Sequence, residues 1–178
     1  TAVKEYEERL FCSEVLEPDL LYGVSDKLQL AVEEACADQK KSFLAVLTSC
    51  SLSLIGDDIQ GVCKSITANC PVIALDAGGL SGEYWQGWSN ALTALLSDMK
   101  LQQTMPEAAT VNIIGCSTCY PNWEGDMLEL YRMLNSIGIK VNLCLLTNGT
   151  QLQELQKIGQ AALNVVINKE LGKPVAEW

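Results

Sequence analysis

Eight cysteines and no histidine bound the chemistry open to this 178-residue chain. Without an imidazole, Ser-His-Asp and Cys-His nucleophile activation are excluded within it, as is every His-containing zinc site. What remains is thiolate chemistry, and Cys50 is the first candidate. Phe43-Leu44-Ala45-Val46-Leu47 reads as a buried strand, and Thr48-Ser49-Cys50 closes it. Gly56-Asp57-Asp58 then makes a turn that can start a helix. A thiol at the C-terminal end of a parallel strand lies where open α/β sheets hold their ligands. Iron–sulfur clusters need thiolates beside backbone N–H groups and a dry wall, and a strand end leading into a helix start supplies both. The competing reading of Cys50 is a structural thiol, because cysteine also packs as a small hydrophobe.

Cys116-Ser117-Thr118-Cys119 is a C-x-x-C that follows a strand and precedes a helix. That spacing suits a redox dithiol or half of a tetrahedral metal site. No second C-x-x-C completes a metal set, and Tyr120-Pro121-Asn122 separates the pair from the helix start. Ordinary loop residues are the alternative. Gly78, Gly79, Gly82 and Gly87 make a glycine-rich approach to a helix, yet neither G-x-G-x-x-G nor G-x-x-x-x-G-K-[ST] is present, and Glu83 would repel a phosphate. Asp57 and Asp58 are adjacent, so on a helix they do not face each other; one is expected to cap and the other to be solvated or paired. Tyr84, Trp85 and Trp88 cluster at a helix start, as core or as a partner contact. Cys12, Cys36, Cys63, Cys70 and Cys144 read as structural thiols.

These residues need a frame, and the bulk composition describes one. The chain is 48% hydrophobic and 19% charged, in the range of a packed globular protein. A net charge of −10 opposes binding to nucleic acid or to an anionic membrane. No apolar run approaches the ~20 residues of a membrane span. Thiols inside apolar or helical segments fit a reducing, cytoplasmic setting.

Apolar runs and helical patterns alternate along the chain. Helices are predicted over 26–37, 58–67, 84–99, 123–137 and 151–160. Strands are predicted over 43–47, 71–75, 111–114, 141–146 and 163–167, with Thr147-Asn148-Gly149-Thr150 as a turn. Strand–helix alternation with short loops implies parallel sheets covered on both faces. The fold class is therefore α/β, with two doubly wound, Rossmann-like units. Lys100 to Thr110, which contains Pro106, is the linker candidate. That places the first unit at 1–103, carrying the Cys50 loop, and the second at 104–178. Thr1 is not a natural start, and Lys173 to Trp178 reads as the opening of another helix. The expectation is a segment truncated at both ends.

The order of these residues resembles a known family. Asp19-Leu20-Leu21-Tyr22-Gly23 is followed by Lys27-Leu28, then Thr48-Ser49-Cys50, then Leu54-Ile55-Gly56-Asp57-Asp58-Ile59. Pro71-Val72-Ile73, Gly79, Gly82 and Gly87-Trp88-Ser89-Asn90 come next. Val111-Asn112-Ile113-Ile114-Gly115, Leu134-Asn135-Ser136-Ile137-Gly138-Ile139 and Ala162-Leu163-Asn164-Val165-Val166 complete the series. Together they are similar to the nitrogenase component 1 family: molybdenum–iron protein subunits, the cofactor-assembly scaffold and related tetrapyrrole reductases.

The resemblance implies that Cys50 ligates an iron–sulfur cluster shared with a second component 1-type subunit. The other ligands of the same subunit would lie upstream of Thr1. It implies that Gly78, Gly79 and Gly82 border that cofactor. One subunit type carries a cluster-binding serine at the position of Gly79, so serine ligation is not expected here. It further implies an ATP-dependent iron-protein reductase as electron donor. The reading is an oxidoreductase subunit that passes electrons through the cluster to a bound cofactor or substrate. The alternatives are an assembly scaffold without turnover and a non-catalytic small-ligand-binding α/β module. One thiolate cannot hold a cluster, so the isolated segment is expected to be inactive and to carry no cofactor.

Overall fold

A computed structural model describes residues 10–37, 43–80, 82–102, 104–145, 147 and 150–178. Thr1, Ser81, the strand end at Leu146 and the turn residues Asn148 and Gly149 lie outside the described residues. The chain divides into two compact units, one up to Gly82 and one from Glu83.

In the first unit, α1 is Glu17–Tyr22 and α2 is Ser25–Cys36. Pro18 sits in the first turn of α1, where its missing N–H has no helical partner to lose. The Asp19 carboxylate accepts from Leu16 N at 2.7 Å and from Lys27 Nζ at 2.8 Å, joining the two helices. On α2, Leu28, Val32 and Cys36 recur every four residues and form its buried stripe. That stripe packs with Val24, Ile59 and Cys63 into one core. Two strands follow, β1 (Leu44–Leu47) and β2 (Val72–Leu75), paired in parallel with Leu44 opposite Val72 and Leu47 opposite Leu75. Parallel strands need a crossover. Here it is α3 (Cys50–Ile55) and α4 (Ile59–Ser65). Gly56, at φ 78°, ends α3 in the left-handed conformation that glycine tolerates. The adjacent carboxylates diverge, as their spacing requires. Asp58 caps α4 by accepting from Gly61 N at 2.8 Å, and Asp57 accepts from Val24 N at 3.0 Å.

The second unit opens with α5 (Tyr84–Asp98). It continues with β3 (Glu107–Ile114), α6 (Trp123–Ser136), β4 (Lys140–Cys144), a 3₁₀ segment (Leu152–Gln160), β5 (Ala161–Val166) and α7 (Lys169–Ala176). The sheet is parallel, in the order β4-β3-β5. Leu92 and Leu96 of α5 pack with Ile114, Leu145, Leu155 and Val175. On another side Ile113, Cys116, Met127 and Cys144 form a separate buried cluster. The helix that the sequence reading put in the first unit therefore packs within the second, and the division falls before it rather than at residue 104.

Other differences are local. The six-residue α3 begins at Cys50 itself, where only a strand end and a turn were expected. The linker candidate contains the start of β3, whose register shifts between Glu107 and Val111 around Ala109 at φ 57°. The helix predicted over 151–160 is 3₁₀, and α7 accommodates Pro174 inside it.

Candidate functional site

Cys50 stands at the C-terminal side of β1 as the first residue of α3, and it is exposed. Its Sγ accepts a hydrogen bond from Gly79 N at 3.1 Å. The loop carrying that N–H is anchored by Asp76, whose Oδ1 accepts from Ser53 Oγ at 2.6 Å, Thr48 Oγ1 at 3.0 Å and Gly78 N at 3.1 Å. Thr48 Oγ1 in turn accepts from Ala77 N at 3.3 Å. β1, α3 and the loop after β2 are thus joined through one carboxylate oxygen.

Glycine is required where this loop meets α3. Gly78 is buried, and a Cβ there would stand 2.5 Å from Ser53 Oγ. At Gly79 a Cβ would be 3.6 Å from Cys50 Sγ, an ordinary contact. Gly82 is exposed. Of the three glycines singled out in the sequence, Gly78 and Gly79 are therefore at the Cys50 corner, each with its N–H engaged. Leu54 and Leu80, 73% and 71% exposed, add apolar surface on α3 and on this loop.

The corner offers one free, exposed cysteine sulfur. Among the described residues no group of three or more cysteine, aspartate or glutamate side chains is placed to hold a metal ion. A single cysteine fills at most one position in the ligand set of an iron–sulfur cluster.

The cysteine pair of the second unit is divided. Cys116 is buried beside Cys144, whose Sγ lies 3.6 Å from Met127 Sδ. Burial pushes the Cys116 thiol up and the Cys144 thiol up to about 12. Such thiols stay protonated and unreactive near neutral pH. Cys119 is exposed, and its backbone N donates to Ser117 Oγ at 3.2 Å. Ser117 Oγ also pairs with Tyr84 Oη at 2.8 Å. The two cysteines of the C-x-x-C have different neighbours and face different environments.

Sequence reasoning missed a cavity of about 380 Å³ in this unit. It opens past the carboxyl ends of β3 and β5, on either side of which the chain order reverses, as ligand crevices in open α/β sheets do. Gly115 and Cys116 line it from β3, Trp123 and Asp126 from α6, and Ile167 and Asn168 from the end of β5. Gly115, at φ 94°, lets α7 approach: a Cβ there would be 2.8 Å from Asn168 O. Asn168 caps α7 through Leu171 N at 3.0 Å and donates to Tyr120 Oη at 3.2 Å. The signal available in sequence was Gly115 directly after a strand; Asn168 carried none.

A profile of the nitrogenase component 1 type oxidoreductases matches residues 2–178. The nitrogenase iron-molybdenum cofactor biosynthesis protein NifE of Clostridium pasteurianum is 27% identical over 158 residues, covering 88% of this chain and 34% of that protein. NifE of a Nostoc species is 32% identical over 162 residues, with 88% and 32% covered. A light-independent protochlorophyllide reductase polypeptide of Chloroherpeton thalassium is 27% identical over 138 residues, with 78% and 26% covered. A solved structure of nitrogenase Cp1 at pH 5 superposes with a TM-score of 0.74 at 27% identity, over 93% of this chain and 33% of that one. The chain thus spans about a third of the length of the relatives it matches. By profile and fold, it belongs to the nitrogenase component 1 type oxidoreductase family.

Proposed function

We propose that this chain presents the Cys50 thiolate to an iron–sulfur cluster shared with a second component 1-type subunit, as part of an oxidoreductase. The observation that carries the reading is the exposed Cys50 sulfur with the Gly79 N–H pointed at it. When bound, the cluster would supply one-electron transfer. The chain's own residues do the rest of the work at this corner. Cys50 ligates, Gly79 N–H offsets the negative charge on sulfur, and Asp76 holds the loop in register through Ser53 and Thr48. Electrons would come from an ATP-dependent iron-protein reductase and pass to a bound cofactor or substrate; the second unit's cavity is of a size to hold a small ligand. A reducing cytoplasm suits eight cysteines without a disulfide among them, and no helix among the described residues is long and apolar enough to cross a membrane.

A second reading, an assembly scaffold that holds a cluster precursor without turnover, is favoured by the names of the NifE relatives, which are cofactor biosynthesis proteins. The full-length protein reconstituted with iron and sulfide, reduced and followed by EPR, separates the readings. Turnover supports the oxidoreductase. A cluster that leaves for an acceptor supports the scaffold. Absence of any cluster leaves a small-ligand-binding module and removes both.

A further inference from the structure

Two cysteines that the proposed function does not use lie in contact in the first unit, at the end of the β1–β2 pair opposite to Cys50. Cys36 is the last residue of α2, and Cys70 stands before Pro71 at the entrance to β2. Their Sγ atoms are 3.5 Å apart. A disulfide needs about 2.05 Å between sulfurs, so the two must approach by about 1.5 Å to bond. Cys36 is 4% exposed and belongs to the first unit's core, whereas Cys70 packs against that core and remains partly exposed. The segment between them contains β1, Cys50, α3 and α4.

We propose that Cys36 and Cys70 form a reversible disulfide by exchange with a low-molecular-weight disulfide, and that this bond locks the frame carrying Cys50. The accessible thiol reacts first. The Cys70 thiolate attacks one sulfur of RS–SR, forming Cys70–S–SR and releasing RS⁻. The Cys36 thiol gives its proton to a thiolate leaving group and attacks the Cys70 sulfur. The Cys36–Cys70 bond forms, the Cys70–SR bond breaks, and a second thiol departs. Two protein thiols are oxidised by two electrons and RS–SR is reduced to two RSH. In the chain-entropy picture, closing a loop of this length disfavours unfolding by roughly 10²- to 10³-fold.

The test uses the whole chain. It is reduced, incubated with oxidised glutathione, alkylated, digested without reductant and mapped by mass spectrometry. The expected result is one linked peptide pair, Cys36 with Cys70, two hydrogens lighter than the separate peptides, with Cys50 alkylated. Hydrogen exchange across residues 44–75 slows in the oxidised chain and returns to its starting rate on reduction. C70S abolishes the linked pair; C36S, if it folds, leaves glutathione on Cys70. Linkage of other cysteines instead, glutathione adducts without any internal bond, or the same linkage pattern from urea-unfolded chain would each overturn the proposal. So would exchange that is unchanged by formation of the bond.

Discussion

Adding one methyl group at Gly78 should loosen the loop that serves Cys50, and removing one hydroxyl should restore it. In Gly78→Ala the new Cβ would stand 2.5 Å from Ser53 Oγ, 3.1 Å from Ser53 Cβ and 3.3 Å from Asp76 Oδ1. The hydroxyl cannot swing aside cheaply, since it is held by Asp76 Oδ1 at 2.6 Å and by Ser49 O at 3.1 Å. Overpacking of this kind costs about 1–3 kcal/mol. Ser53→Ala alone loses hydrogen bonds in a partly solvated place, about 1 kcal/mol. If the clash is the cause, the double variant is less destabilised than the sum of the singles, with a coupling of about 1–2 kcal/mol. Urea denaturation followed by far-UV circular dichroism reads the stability term. The alkylation rate of Cys50, mapped by mass spectrometry, reads the site: it changes in Gly78→Ala, where Gly79 N–H is displaced, and reverts in the double variant. Additivity of the two substitutions within about 0.5 kcal/mol would show that the loop yields without pressing on Ser53, and the account of the corner would be wrong.

Cys50→Ala in the full-length protein should abolish iron uptake while leaving the circular dichroism spectrum unchanged; normal iron content in that variant refutes the ligand assignment. Leu96, fully buried among Ile114, Leu145 and Val175, should cost about 2–5 kcal/mol when replaced by alanine, measured by urea denaturation. The Cys144 thiol gives a pH signature. Burial lifts it from 9.0 to about 12, so the unfolded chain loses this proton first as pH rises. Its contribution is constant below pH ~9 and falls by about 1.4 kcal/mol per pH unit from there towards pH ~12. Cys144→Ala should flatten this alkaline decline, and an unaltered slope would mean that the thiol is not desolvated in the fold.

The strands were legible because their signal is local: Leu44–Leu47, Val72–Leu75 and Val111–Ile114 are short apolar runs bounded by polar or turn residues. α5 was legible for the same reason, matching its predicted span to within a residue. What was not legible depended on longer-range geometry. β3 starts at Glu107, but its first half is polar or small and passes through Ala109 in the left-handed region, so it reads as linker. α3 alternates Ser-Leu-Ser-Leu over six residues, too short for a helical period to declare itself. Nothing local marks where α5 packs; its side chains Leu92 and Leu96 find Ile114 and Leu145 only once β3 and β4 are paired. At the site, Cys50 and the glycine loop were legible from type and position. The carboxylate that joins them was not, because Asp76 acts on Thr48 and Ser53, more than twenty residues earlier in the chain.

Cysteine identity alone says little about reactivity here. The C-x-x-C of the second unit has the sequence form of a dithiol, with one thiol buried and the other exposed. Cys116 is turned into a buried cluster with Cys144 and Met127, which raises its proton affinity, while Cys119 lies at the surface near Tyr84 and Ser117. Cys36 and Cys70, whose sulfurs are 3.5 Å apart, are separated by β1, α3 and α4 and have no motif at all. Cys50 differs from both cases. It is exposed, and it receives an N–H from a loop whose position is set by a carboxylate and by a glycine with no room for a methyl group. The selective feature is therefore the backbone brought up to the sulfur, and it depends on the parallel pairing of β1 with β2 that puts residues 48 and 76 side by side.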